Sequence, residues 1–170
     1  VTDLRRVERV DIEVLDAQSG GRESAGEHSW FGFADDGKVR SRVESGETIR
    51  PDRGMLAIVD DDGIVVGELS WHMSANGPRP NGECWNLGIW IAPAHRGQGH
   101  GSAAQRLGAD YLFEHTMMER VEASTEAGNL AEQRALEKAG FTREGVLRHA
   151  CFRGGEWRDM VVFSRLRGEQ

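Results

Sequence analysis

A chain of 170 residues with 38% hydrophobic content and only two cysteines can form one domain around its own core without a disulfide framework. Its net charge of -7 argues against gripping nucleic acid through a basic surface, and no apolar run approaches a membrane span. Cys84 and Cys151 fit buried thiols of a cytoplasmic protein, although composition alone leaves a single bridge open. The chain starts at Val1 with no signal peptide visible, so the cytoplasmic expectation covers only this stretch.

In chain order, Leu4, Val7, Val10, Ile12 and Leu15 among charged neighbours predict a first helix over residues 3–16, followed by a loop over 18–26. Trp30, Phe31 and Phe33 then cluster beside His28; they read equally as a cap on the core and as the wall of an acceptor pocket. A second short helix is expected within 37–47. Strands are expected over 55–59 and 64–73, joined by the turn Asp60-Asp61-Asp62-Gly63. That run lacks the spaced ligands of a calcium loop and reads as a solvated turn, so no metal is expected. Asn76-Gly77-Pro78 and Pro80-Asn81-Gly82 mark a loop. A strand over 83–91 alternates Cys84, Asn86, Gly88 and Trp90 against Glu83, Trp85, Leu87, Ile89 and Ile91, and Gly88 would permit a bulge. A helix over 102–116, a strand over 120–125, a helix from Asn129 to a stop at Gly140, and a hairpin around Gly154-Gly155 complete the order.

Everything turns on Pro93-Ala94-His95-Arg96-Gly97-Gln98-Gly99-His100-Gly101, where a strand empties into a helix through glycines. Such a loop lets backbone N–H groups converge on a phosphate at a helix N-terminus, and Arg96 adds a cation with a fork of donors. A Walker loop is excluded because no lysine follows the glycines. Gly99-His100-Gly101-Ser102-Ala103-Ala104 reads as a dinucleotide fingerprint, with Glu122 near the end of the next strand, but Pro93 to Gln98 intervene where that motif wants a tight turn.

Arg96-Gly97-Gln98-Gly99-His100-Gly101 resembles the R/Q-x-x-G-x-G/A signature of the GCN5-related N-acetyltransferases (GNAT). Asn129-Leu130-Ala131-Glu132-Gln133-Arg134-Ala135-Leu136-Glu137-Lys138-Ala139-Gly140-Phe141 resembles that family's later helix, ending in E-K-x-G-F. The run Trp85-Asn86-Leu87-Gly88-Ile89-Trp90 and the closing hairpin are similar to the RimJ/RimL branch, the ribosomal-protein N-terminal acetyltransferases. The likeness is good over 55–166 and poor over the first 50 residues.

The resemblance implies an α+β fold: a central mixed, mostly antiparallel, twisted sheet flanked by helices on both faces. Residues 1–170 would be one acetyltransferase domain, with room for a leading N-terminal strand to be missing. It implies acetyl-CoA as cofactor, held by Ile89, Trp90 and Ile91 on a bulged or splayed strand, by Arg96, Gly97, Gln98, Gly99, His100, Gly101 and Ser102 in the loop, and by Asn129 against the pantetheine arm. Asn129 also reads locally as a helix N-cap. The acceptor would be an amine, small-molecule or peptide, meeting Trp30, Phe31 and Asn86; the resemblance also admits a homodimer.

Transfer to an amine needs that amine neutral, and a lysine-like amine has a pKa of ~10.4. Many RimL-like sequences carry a glutamate where Asn86 stands, so Glu83 and His72 are the candidate bases. A backbone N–H near Ile89 could polarise the thioester carbonyl. The proton donor for the leaving thiolate is unassigned, since Leu136 replaces a frequent tyrosine and Glu132 a frequent serine. Two other readings remain open from the residues: an acyl-CoA-binding module with little catalysis, and an NAD(P)-binding oxidoreductase domain.

Overall fold

The computed structural model describes residues 1–17, 20–33 and 37–169, with Lys38 described in its backbone only. Its strands are β1 (Asp3–Arg6), β2 (Ile49–Arg50), β3 (Arg53–Val59), β4 (Val65–Ala75), β5 (Glu83–Ile91), β6 (Arg120–Glu126), β7 (Thr142–Arg153) and β8 (Glu156–Leu166). Its helices are α1 (Ile12–Asp16), α2 (Arg22–Ala25), α3 (Lys38–Glu44), α4 (His100–His115) and α5 (Leu130–Lys138). The sheet runs β1-β3-β4-β5-β6-β8-β7, with β2 paired to β3. Every pairing is antiparallel except β5 with β6. The expected mixed, mostly antiparallel sheet is what the chain forms.

Helices cover both faces because both faces of the central strands are apolar. Leu69, Trp71, Trp85 and Leu87 pack with Ala104, Ala109 and Leu112 of α4 and Leu136 of α5. Residues of opposite phase, Met55, Ala57 and Trp90, pack with Leu15 and Val39 from the α1 and α3 side. A near-continuous apolar strand buried on both faces is the expected reading of such a run. Gly108 lets α4 lie directly on the sheet, since a Cβ there would stand 2.2 Å from Leu69 Cδ2.

The first helix expected over 3–16 is corrected. Asp3–Arg6 instead pairs with Leu56–Val59, giving the sheet a leading strand, and only Ile12–Asp16 is α-helical. Two local interactions divide the segment: Arg5 grips the buried Asp11 through two hydrogen bonds of 2.7 and 2.8 Å, and Asp11 also accepts from the Glu8 N–H. The loop expected over 18–26 contains the short helix α2; Gln18 and Ser19 lie outside the described residues. Cys84 and Cys151 are both free thiols. Among the described residues no helix is long and apolar enough to cross a membrane.

Candidate active site

The glycine loop leaves β5 at Ile91, makes one 3-10 turn over Pro93–His95 and enters α4. Gly97 (φ 75) and Gly99 (φ 89) hold left-handed conformations that side chains resist. Gly101 belongs to the helix and is not among the positive-φ residues; a Cβ there would have only Gln105 Nε2, at 4.0 Å, as its nearest protein neighbour. Gly99 is the N-cap of α4 and offers no side-chain cap. The first N–H to reach back into the helix is that of Ala103, which donates to the Gly99 carbonyl at 3.2 Å. The N–H groups of His100, Gly101 and Ser102 are therefore the open donors of a helix N-terminus, suited to a phosphate.

Side chains around this turn brace it. Gln98 Nε2 donates to the Ala94 carbonyl at 3.0 Å, Ser102 Oγ to the Gly99 carbonyl at 3.1 Å, and His100 Nδ1 meets Thr2 Oγ1 at 3.0 Å. Arg96, expected to face phosphate, donates from Nε to the Ile91 carbonyl at 2.9 Å, from Nη1 to Glu23 and from Nη2 to Ser24. Its fork is thus engaged by backbone carbonyls of β5 and α2, and what it does directly is tie α2 to the loop.

Beside the loop the sheet opens. β5 and β6 pair through two rungs, Trp85 with Val121 and Asn86 with Glu122, and then part. β5 itself is not bulged: its register with β4 is unbroken from Ala75–Glu83 to Gly67–Ile91, so of the two alternatives, bulged or splayed, the bulge that Gly88 would permit is absent and the strand is splayed from β6. From Leu87 to Ile91 the β6-facing backbone groups of β5 line a wedge that widens toward α4. Here the expected residues divide by phase. Ile89 and Ile91 pack on the α4 side, while the Trp90 indole donates to the Ser24 carbonyl at 2.9 Å. On the opposite wall Asn129 caps α5, accepting from the Glu132 N–H at 3.3 Å and donating to Thr125 Oγ1 at 3.0 Å. Loop and Asn129 thus flank one opening.

Two residues here were not singled out as a site from the sequence. Glu132, in the first turn of α5, has its carboxyl pushed up to about 7 by burial, against the weaker pull of the Gln105 amide. Gln105, on the inward side of α4 and 1% exposed, has no hydrogen bond of good geometry at either Nε2 or Oε1 among the described residues. A carboxyl near pH 7 can give as well as take a proton. The sequence signal was a charged and an amide residue on inward helical positions where apolar ones are usual.

His72 and Asn86 are cross-strand partners at the vertex of the wedge, His72 exposed and Asn86 half-buried. Glu83 is not brought there. It opens β5 at the opposite end, alternates onto the face of Trp85 and Leu87, and lies 3.7 Å from Arg79. Trp30 is half-buried and packs edge-on against Phe33 at 4.9 Å, while Phe31 is 65% exposed. Across the end of β6, His28 Nδ1 lies 3.1 Å from Glu126 Oε2. Glu126 is buried and bonded to the Arg153 guanidinium at Nε and Nη2, which, ahead of its contact with His28, holds its pKa at about 2. These three residues line a cavity of about 580 Å³ between the end of β6 and the β7–β8 hairpin.

Comparison with known proteins places these features. Residues 3–142 match the model of the acetyltransferase (GNAT) domain. YjcK of Bacillus subtilis, named as an N-acetyltransferase, is 39% identical over 80 residues, which are 47% of this chain and 44% of that protein. YdaF of the same organism, named as a ribosomal N-acetyltransferase, is 30% identical over 148 residues, 82% of this chain and 78% of YdaF. The chain thus spans under half the length of the first of these relatives. Among solved structures, spermidine N-acetyltransferase from Vibrio cholerae in complex with CoA and spermine superposes with a TM-score of 0.80 at 17% identity, over 99% of this chain and 96% of that one.

Proposed function

The chain belongs to the GNAT acetyltransferase family, and on that premise we propose that it transfers the acetyl group of acetyl-CoA to a primary amine by direct attack within a ternary complex. The observation that carries this reading is the wedge between β5 and β6, which runs from the paired rung at Asn86 to the uncapped N-terminus of α4. A pyrophosphate fits the N–H groups of His100, Gly101 and Ser102, and a pantetheine arm fits the β6-facing edge of Leu87 to Ile91, which carries amides for its own. At that edge a backbone N–H near Ile89 polarises the thioester carbonyl. Glu132 then supplies the proton that the leaving thiolate takes, a role a carboxyl with pKa about 7 can fill at neutral pH.

The acceptor reading draws on relatives. One is named for ribosomal acetylation and one neighbour for spermidine, so a protein N-terminus and a polyamine are the two amine classes to try first. Trp30, Phe31 and Asn86 remain the proposed acceptor contacts. A cytoplasmic enzyme and a homodimer belong to the same reading; sedimentation of the purified chain tests the second. Glu132 favours catalysis over a mere acyl-CoA-binding module, because it restores the proton donor that Leu136 cannot be.

Calorimetry with acetyl-CoA, CoA and NAD(P) tests the cofactor: binding of both CoA species and not of NAD(P) is expected. Amine-dependent release of CoA with spermidine and with short peptides of free N-terminus tests the transfer. Binding of NAD(P) alone, or CoA binding with no transfer to any amine, would contradict it.

A further inference from the structure

Residues 22–28 strap the open end of the wedge, and the two ends of the strap are tied to opposite walls. Toward β5, the Ser24 carbonyl accepts from the Trp90 indole at 2.9 Å and from Arg96 Nη2, and a Cβ on Gly26 would stand 3.5 Å from Arg96 Nη1. Toward β6, the His28 ring lies against Gly128, where a Cβ would stand 3.5 Å from its Cε1. Gly128 directly precedes Asn129, so the imidazole sits beside the wall that flanks the pantetheine opening.

The partner of His28 fixes its tautomer. Glu126 is ionised under the pull of Arg153, and a carboxylate only accepts; Nδ1 therefore carries the hydrogen, and Nε2 of the neutral ring keeps its lone pair. The side chain is 27% exposed and lines the 580 Å³ cavity. Neither rival is so arranged: Glu83 lies at the other end of β5, and among the described residues no side-chain hydrogen bond orients His72.

We infer that His28 is the general base of the reaction, that Glu126 and Arg153 position it, and that the cavity before it receives the acceptor amine. The inference rests on the acetyltransferase reading above. In the step, Nε2 takes one proton from the acceptor ammonium, and the lone pair so freed bonds to the thioester carbon. The C–S bond breaks, the nitrogen gives its second proton to solvent, and the leaving thiolate is protonated at Glu132 or by solvent, giving an amide and CoA and leaving one proton on His28.

The test uses whichever of spermidine or a short peptide of free N-terminus the wild type acetylates. His28→Ala should lower kcat by about 10²-fold to 10⁴-fold with CoA affinity unchanged by calorimetry. Added imidazole should recover part of the rate, His28→Gln should stay as slow as His28→Ala, and His72→Ala should remain close to wild type. Wild-type turnover in His28→Ala would overturn the inference. So would a loss that imidazole leaves untouched while His28→Gln restores it, which would make His28 a packing residue. Inactivity of the wild type on every amine would instead sink the acetyltransferase reading itself.

Discussion

The two walls of the wedge are built in opposite ways. The α4 wall is one continuous stretch, strand, glycine turn and helix, whose binding groups are backbone amides left open by the fold itself. The wall at the end of β6 is assembled from three distant segments, His28 from the strap, Glu126 from β6 and Arg153 from β7, through charged side chains. A backbone site tolerates most side-chain changes and fails when φ is disturbed. A side-chain site fails when one partner is removed and a buried charge is stranded. Damage to the first should appear in cofactor affinity, and damage to the second in turnover and acid stability.

The largest effect expected is from Gly99→Val. A β-branched residue resists φ 89, so CoA affinity should fall at least about 100-fold while circular dichroism shows the fold retained. Gly101→Val is the sharper contrast: Gly101 is helical and has room among protein atoms, so any loss there reports contact with the ligand alone. Retained affinity in both variants would erase the distinction between the walls.

Next comes Glu126→Gln. The Glu126 pKa is depressed to about 2 in the fold, so its contribution is present above the unfolded value and is lost as pH falls from about 4.5 toward 2. The shift corresponds to about 3 kcal/mol. Urea unfolding should show the variant weaker by that order at pH 7, with the gap roughly halved near pH 3 and closed near pH 2, and CoA affinity little changed at neutral pH. A gap independent of pH would contradict the ion-pair account.

Glu132→Gln has the opposite sign. Its folded pKa is raised to about 7, so the wild type loses stability as pH rises from about 4.5 through 7. The variant should match the wild type at pH 4 and exceed it at pH 8 by about 3 kcal/mol, while turning over more slowly. Equal unfolding curves at pH 8 would show that the carboxyl is not held neutral by burial.

The smallest effect, about 1 kcal/mol of stability from the lost cap, is expected for Asn129→Ala. Its binding loss should fall on intact CoA and spare 3′,5′-ADP, whereas Arg96→Ala, which frees α2 from the loop, should weaken both ligands and slow turnover. An Arg96→Ala defect confined to one readout would mean that the strap and the loop are not coupled.

The α4 wall was legible in the sequence because its chemistry is local: glycines at 97, 99 and 101 and the E-K-x-G-F helix end sit within short windows, and β3 to β8 followed from alternation and turn residues. The wall at the end of β6 was not legible. His28 and Glu126 are 98 residues apart, and Glu126 and Arg153 meet only because β6, β8 and β7 stack in that order. β1 was missed for the same reason, since four charged-and-apolar residues become a strand only when β3 supplies their partners. Arg96 was assigned by type to phosphate, while its partners turned out to be carbonyls more than 70 residues away in sequence as well as at Ile91.

Backbone amide chemical shifts recorded as CoA is added to the wild type test the shared wedge most directly. The account predicts perturbations concentrated at Leu87 to Ile91, at Gln98 to Ser102 and around Asn129, with the β7–β8 hairpin left still. Binding that instead moved the hairpin, or left His100 to Ser102 unshifted, would contradict it.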